Sequence, residues 1–273
     1  MVRNFLRRIK ESFGLREYFD NELSILYKSR QFEHANHFVR YGKHCFSQSD
    51  EDGLTLEIIK RVGIRNGVFA EFGVGDGKEN NTLILLGLKW KGFWCGGENL
   101  AFNVSNTSRL FFYKKWINQE NICALMRGGL KDLGEENVDL ISIDLDGNDL
   151  YFCENLLING FNPEVFIVEY NAKFPPPIEF CIDYDPTHIW DDSDYQGASL
   201  QSFSSLFEKY EYSLICCNAA TGSNAFFVKN IYLDLFPEVP DSIEDIYVDR
   251  KYSLIKKYGH NKSLKTIELI IRD

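Results

Sequence analysis

A glycine-rich segment near residue 70 has the residue types and spacing to hold a small molecule. Gly67–Gly77 runs Gly-Val-Phe-Ala-Glu-Phe-Gly-Val-Gly-Asp-Gly, a short apolar run that ends in alternating glycines. Glycine lets the backbone adopt positive φ and approach a ligand closely. In an open α/β sheet, ligands bind outside the carboxyl ends of the strands. The segment therefore predicts a nucleotide-like site, although a tight strand-to-helix turn without a ligand is the alternative. The candidate contacts are Glu71, Gly73, Gly75, Asp76 and Gly77.

A second acidic position follows the next apolar run. Gly92–Glu98 is predicted to be a strand that ends in Glu98, about twenty residues beyond the glycine turn. A carboxylate at this place can accept two hydrogen bonds from a ribose diol. The alternative is an ordinary exposed loop acid. Asn118, after the third predicted strand, is the candidate contact to an adenine base.

Acids and one amide follow two later apolar runs. The set is Asp144, Asp146, Asp149, Glu169 and Asn171. Since parallel strands end at one edge of a sheet, these side chains are expected in the same crevice as the glycine turn. Crowded carboxylates repel unless they share a proton or a cation, and oxygen ligands select a hard ion such as Mg²⁺. A metal site of Asp144, Glu169 and Asn171 and a metal-free hydrogen-bonded cluster both stay open. Asp144 is in addition a candidate cofactor contact.

A long loop, 171–196, combines prolines, aromatic residues and acids. Irregular segments of this length inside a domain usually have a function. His188 is a candidate general base because histidine side chains can take up a proton near neutral pH, with Asp144 and Asp194 as rivals; a structural or exposed histidine is the alternative. Flat rings and carboxylates together suit a sugar. The candidate substrate contacts are Asp146, Tyr170, Trp190 and Tyr195.

Alternating apolar segments predict the elements that carry these residues. Helices are expected at about 54–62, 78–89, 104–114, 120–128, 150–159 and 199–210, and strands at about 67–72, 92–96, 115–118, 138–143, 164–169, 212–217 and 224–229. Such alternation is typical of a doubly wound parallel α/β sheet. The last two strands share a short connection and must be antiparallel. We expect a helical extension over 1–46, the ligand-binding domain over 47–230 and a helical extension over 231–273.

Two motifs resemble known families. The glycine turn resembles motif I, E/D-x-G-x-G-x-G, of class I S-adenosylmethionine (SAM) methyltransferases and lacks the dinucleotide spacing G-x-G-x-x-G. Ile143–Asp149 resembles the I-D-[VI]-[ED]-G-x-[ED] signature of FkbM-type methyltransferases. The resemblance covers roughly 45–230 and implies a Rossmann-like SAM-dependent enzyme that methylates a hydroxyl of a sugar, a surface glycan or a nucleotide-linked precursor. It also implies a mostly parallel seven-stranded sheet with one antiparallel strand near its end.

The resemblance is incomplete at the metal site. In metal-dependent macrolide-sugar O-methyltransferases, an acid ends strand four and a Glu-Asp pair ends strand five. Asp144 and Glu169 match this pattern, Asn171 would replace the second acid, and Gly147 stands where those enzymes have a histidine. Two other functions stay open: an NAD-linked oxidoreductase on the same fold, and a non-catalytic scaffold or binding subunit.

Composition limits the partners. A net charge of −10 argues against a general nucleic-acid binder. The seven cysteines form no C-x-x-C motif, and neither a signal peptide nor a bilayer-spanning run is visible, so a cytoplasmic protein is expected. Residues 2–13 predict a basic amphipathic helix, with apolar positions Val2, Phe5, Leu6, Ile9 and Phe13. This helix is expected to pack on the domain or on a second subunit, or to contact a membrane surface.

Overall fold

A seven-stranded sheet organises the part of the chain that the computed structural model describes, residues 18–19, 21–251 and 264–273. The strands are β1 (Val68–Phe72), β2 (Lys91–Gly96), β3 (Leu110–Lys114), β4 (Leu140–Ile143), β5 (Val165–Glu169), β6 (Tyr212–Cys217) and β7 (Asn224–Lys229). Their order is β3-β2-β1-β4-β5-β7-β6, and β7 alone runs antiparallel to its neighbours. The predicted doubly wound sheet with one antiparallel strand near its end is confirmed.

Helices cover both faces of this sheet. They are α1 (21–32), α2 (Glu51–Val62), α3 (Leu83–Gly87), α4 (Ile122–Leu133), α5 (Asp149–Ile158), α6 (Leu200–Glu208), α7 (Ile243–Ile246) and α8 (Leu264–Ile271). Two 3₁₀ helices occupy His37–Tyr41 and Asn230–Leu235.

Side chains alternate between two hydrophobic cores along the strands, as the period of two requires, except at the register shift in β6, where Ile215 and Cys216 face the same core. Val68, Ala70 and Phe72 of β1 face the core with α4, α5 and α6. Phe69 faces the core with α2, α3 and α8. All five β1 residues are buried, which explains why the strand is almost continuously apolar.

The third strand differs from its prediction. The expected helix over 104–114 and strand over 115–118 are both wrong, because Leu110–Lys114 forms β3 and pairs in parallel with Gly92–Gly96. Leu-Phe-Phe-Tyr is a strand-forming run, and aromatic residues favour the pleated surface over a helix. The correction moves Trp116 from inside a strand to the loop at its carboxyl end.

The terminal extensions are only partly described. The predicted basic helix over 2–13 lies outside the described residues, as do residues 252–263. Helix α1 is held by Arg30, whose Nε donates to the Ala219 carbonyl (2.7 Å) and whose guanidinium pairs with Asp249. Among the described residues, no helix is long and apolar enough to cross a membrane. The domain boundaries at 46 and 230 stay a prediction.

Candidate functional site

The glycine turn leaves β1 with a backbone that side chains rarely adopt. Gly73, Gly75 and Gly77 have φ of 97°, 49° and 81°. A Cβ at Gly73 would lie 1.6 Å from the Asp144 carbonyl oxygen, so the turns after β1 and β4 touch through this glycine. A Cβ at Gly75 would meet no atom within 4 Å. Gly73 is therefore required by packing, and Gly75 faces open space.

That open space is a cavity of about 380 Å³ at the carboxyl ends of β1, β2, β3 and β4. Its size lies in the range of small-molecule sites. Seven predicted site residues line it: Gly73, Gly75, Glu98, Asp144, Asp146, His188 and Trp190. Four separate predictions, from the glycine turn, the β2 acid, the β4 acids and the long loop, therefore meet in one space.

Glu71 does not line the cavity. It is 2% exposed, and its carboxylate accepts hydrogen bonds from the amides of Asn81 (2.9 Å) and Thr82 (3.2 Å) and from the Thr82 hydroxyl (2.5 Å). Burial raises the pKa of Glu71 to about 7 against these bonds. The acid holds the segment that enters α3, which is why that helix begins at Leu83 and not near 78.

Three other predicted cofactor contacts also lie outside the cavity lining. Asp76 pairs with Lys78 (2.5 Å). Gly77 lies close to Leu100, 2.8 Å from where its Cβ would be. Asn118 and Asn121 exchange two side-chain-to-backbone hydrogen bonds of 3.0 Å each at the start of α4.

Three carboxylates meet beside the cavity. Each of Asp144, Asp146 and Glu169 offers an oxygen, and these oxygens lie within 4.8 Å of one another. Burial, and then the neighbouring negative charges, raises the pKa of both Asp144 and Glu169 well above the usual carboxyl range. Burial also raises the pKa of Asp146, while His188 lowers it. Carboxylates in this state bind a proton or a cation readily.

Asn171 is engaged elsewhere. Its Nδ2 donates to the carbonyls of Asp194 (2.9 Å) and Gln196 (3.0 Å), and its Oδ1 accepts from the Lys173 amide (3.1 Å). The amide thus holds the end of the long loop against β5. In the three-oxygen cluster, Asp146 takes the position that the sequence had assigned to Asn171.

Part of the long loop, residues 182–190, which we call the strap, runs over the turns that follow β3 and β4. The Asn148 side chain makes two hydrogen bonds to the Asp185 backbone: it donates to the carbonyl (2.7 Å) and accepts from the amide (3.3 Å). The Tyr184 hydroxyl accepts from the Gln119 amide (3.0 Å), and the Trp116 indole donates to the Pro186 carbonyl (2.8 Å). The strap is therefore attached to the side of the cavity formed by the turns after β3 and β4.

The His188 side chain, near the end of the strap, packs against Gly147. A Cβ at Gly147 would lie 2.4 Å from the imidazole Cδ2, so the ring occupies the place of a side chain there. Its Nε2 is buried and has no hydrogen-bond partner among the described residues. His188 thus lines the cavity together with Asp146, while its unsatisfied Nε2 is buried against Gly147.

The other predicted catalytic and substrate residues are spread out. Asp194 is half exposed and pairs with Lys173, and Tyr195 is exposed and accepts from the Asp183 amide (3.2 Å). Tyr170 is 1% exposed and donates to the Val248 carbonyl (2.6 Å), so it lies in the core. Trp190 is 40% exposed at the cavity mouth.

No family model and no curated protein matches this chain. Solved structures do, at low identity. A putative O-methyltransferase from Nostoc punctiforme is 11% identical over 64% of this chain and 56% of its own length, with a TM-score of 0.38. The O-methyltransferase TomG from Streptomyces achromogenes, solved with SAM, is 13% identical over 67% and 82%, with a TM-score of 0.38. The chain thus spans little over half of the Nostoc protein, and likeness this distant does not bear on activity.

The cavity wall includes residues that the sequence patterns do not single out, among them Trp116 and Asn148. The predicted strand over 115–118 hides Trp116, and Asn148 stands among the acids of its turn. A correct β3 would have revealed Trp116, since an exposed tryptophan directly after a parallel strand lies at the ligand edge. The partner of Asn148 lies 37 residues away, and no local pattern indicates it.

Proposed function

We propose that this protein is a SAM-dependent methyltransferase that transfers a methyl group to a hydroxyl of a sugar or glycan. The observation that carries the proposal is the cavity that Gly73, Gly75 and Glu98 line together. The methionine part of the cofactor would lie along the glycine turn, and the ribose diol would donate to the Glu98 carboxylate. The adenine would pack between Trp116 and the apolar side chains of Leu145 and Phe152.

The FkbM-type assignment belongs to the same proposal. Asp144, Asp146 and Asp149 of the signature follow β4 directly, and two of them line the cavity. Asp149 instead accepts from the amides of Leu145 (2.7 Å) and Gly147 (2.9 Å), which shapes the turn. In the signature, Asp144 and Asp146 would therefore contact ligands, whereas Asp149 stabilises the backbone of the turn.

A divalent cation fits the acids. Asp144, Asp146 and Glu169 supply only oxygen, which suits Mg²⁺ or Mn²⁺, and a cation would offset the repulsion between carboxylates that burial has brought together. When bound, such an ion lowers the pKa of a coordinated hydroxyl.

Mn²⁺ binding followed by electron paramagnetic resonance tests the cation site. We expect Asp146→Asn to weaken Mn²⁺ binding at least tenfold, with the exposed Asp183→Asn as the matched control. Equal binding by both variants would contradict the cation site.

His188 is the proposed base. His188 lines the cavity, and its buried Nε2 has no hydrogen-bond partner among the described residues, whereas Asp194 does not line the cavity and pairs with Lys173. The enzyme would hold the acceptor oxygen about 3 Å from the methyl group and remove its proton. Trp190, exposed beside His188, would offer a flat face to a sugar ring.

Isothermal titration with S-adenosylhomocysteine tests the cofactor assignment. We expect the wild type to bind, Glu98→Ala to bind at least about tenfold more weakly because it loses two hydrogen bonds to a charged group, and Gly75→Val to bind hardly at all. Glu120→Ala, an exposed acid outside the cavity, is the control. Absence of S-adenosylhomocysteine binding by the wild type would contradict the proposal. Binding of NAD in its place would also contradict it and would favour an oxidoreductase.

A further inference from the structure

Trp116 contacts both halves of the candidate site. Its ring lines the cavity and lies 3.7 Å from where a Cβ of Gly97 would be, so it packs beside the turn that carries Glu98. Its indole N–H donates to the Pro186 carbonyl of the strap, 70 residues away. The side chain is 53% exposed.

The strap carries the acceptor-side wall. The last three residues of the strap, His188, Ile189 and Trp190, line the cavity. Trp116, Gln119, Gly147 and Asn148, in the turns after β3 and β4, contact the middle of this segment. Tyr151 and Gly197 hold its first residue, Ile182. Trp116 bonds the backbone two residues before His188, so its position bears directly on the part of the strap that lines the cavity.

We propose that Trp116 couples the two substrates of the site: the base of the bound nucleoside packs on its indole ring, and the indole N–H then holds the strap in place for the acceptor. The bound nucleoside consequently stabilises an acceptor wall whose contact with Trp116 is already made in its absence. This inference rests on the proposed function, and it adds a binding and positioning role for a residue that the sequence motifs do not include.

Coupling of this kind is reciprocal. If the nucleoside favours the anchored strap by some factor, the anchored strap must raise nucleoside affinity by the same factor. A net hydrogen bond is worth roughly threefold to tenfold in an equilibrium constant. Loosening the strap at a point far from the ligand should therefore weaken nucleoside binding by a factor within this range.

Hydrogen exchange with and without S-adenosylhomocysteine tests the coupling. In the wild type, we expect the nucleoside to slow amide exchange in the strap, residues 182–190, by roughly threefold to tenfold. Trp116→Phe keeps an aromatic face and loses the N–H. We expect this variant to bind the nucleoside and to slow exchange in the glycine turn, residues 73–77, while the strap gains no protection. Strap protection equal to that of the wild type would overturn the inference.

Two further variants separate the coupling from a general loss of structure. Trp190→Phe removes an indole N–H whose bond, to the Ser193 carbonyl (2.7 Å), stays within the loop, so nucleoside-dependent strap protection should persist. Tyr184→Phe removes the Gln119 contact outside the cavity, and nucleoside affinity should fall roughly threefold or more. Unchanged affinity in Tyr184→Phe would contradict the inference. A wild type that binds no S-adenosylhomocysteine would instead contradict the proposed function.

Discussion

Two glycines of the same turn are expected to differ in what they tolerate. Gly73→Ala would put a methyl group 1.6 Å from the Asp144 carbonyl, and its φ of 97° is costly for any side chain. We expect it to lower the free energy of unfolding by about 3 kcal/mol or more. Gly75→Ala meets open space and should cost only about 1 kcal/mol. Urea unfolding of both variants measures the difference, and equal losses would contradict the close contact between the two turns.

His188 and Asp194 offer a second comparison of single residues. His188→Gln should reduce methyl transfer at least about 10²-fold, the usual contribution of a general base, whereas S-adenosylhomocysteine affinity should fall by no more than the roughly tenfold that a loosened strap allows. Asp194→Asn should reduce neither, since Asp194 pairs with Lys173 away from the cavity. Transfer of labelled methyl from SAM into the sugar fraction of a cell extract provides the assay. The reverse ranking of the two variants would reassign the base.

Among the elements, the turn between β6 and β7 depends on one buried amide. Asn218 donates to Ser49 (2.9 Å) and Thr221 (2.8 Å), and it accepts from the amides of Ser223 and Asn224 at 2.9 Å each. Its removal leaves several buried polar groups without partners. This turn thereby connects the start of α2 to the end of the sheet.

We expect Asn218→Ala to destabilise the fold by about 2–4 kcal/mol, because each unsatisfied buried group costs about 1–3 kcal/mol. Asn162→Ala, on an exposed turn, should cost less than about 0.5 kcal/mol. Guanidinium unfolding of the pair gives the comparison. A small loss in Asn218→Ala would mean that the contact between α2 and the β6–β7 turn contributes little.

Helices and strands can be predicted from the sequence where the local pattern of apolar residues determines their type. The apolar runs at β1, β4 and β5 and the antiparallel closing pair follow from periodicity and connection length. β3 was misplaced because Val104–Lys114 fits helical spacing as well as a strand, and only pairing with β2 distinguishes the two. Likewise, the spacing of Glu71 indicates a ligand contact, while its actual partners, Asn81 and Thr82, depend on how the chain enters α3.

At the scale of the whole molecule, buried acids make stability depend on pH. Burial, followed by the charge of Glu51, raises the pKa of Asp50 to about 7 from 3.8. The folded protein therefore retains a proton that the unfolded chain releases between about pH 4 and 7. Stability is greatest below this range and falls as pH rises through it, by up to about 1.4 kcal/mol per pH unit for this one group.

Thermal or urea unfolding between pH 4.5 and 7.5 measures this slope. Other buried carboxyls add to it, among them Glu71 with a pKa of about 7 and Asp149 with a pKa of about 6. The difference between the wild type and Asp50→Asn isolates Asp50: the variant should lose stability less steeply as pH rises. Parallel curves would show that Asp50 is ionised in the folded protein at low pH as well.

The proposed function requires that a nucleoside binds in the cavity at the carboxyl ends of the strands. A crystal structure of the protein with S-adenosylhomocysteine and Mg²⁺ tests it most directly. The ribose diol is predicted within hydrogen-bond distance of Glu98, the base against Trp116, and the sulfur near Gly73, Gly75 and Asp144. A nucleoside bound elsewhere, or a cavity closed by side chains at saturating concentrations, would contradict the account.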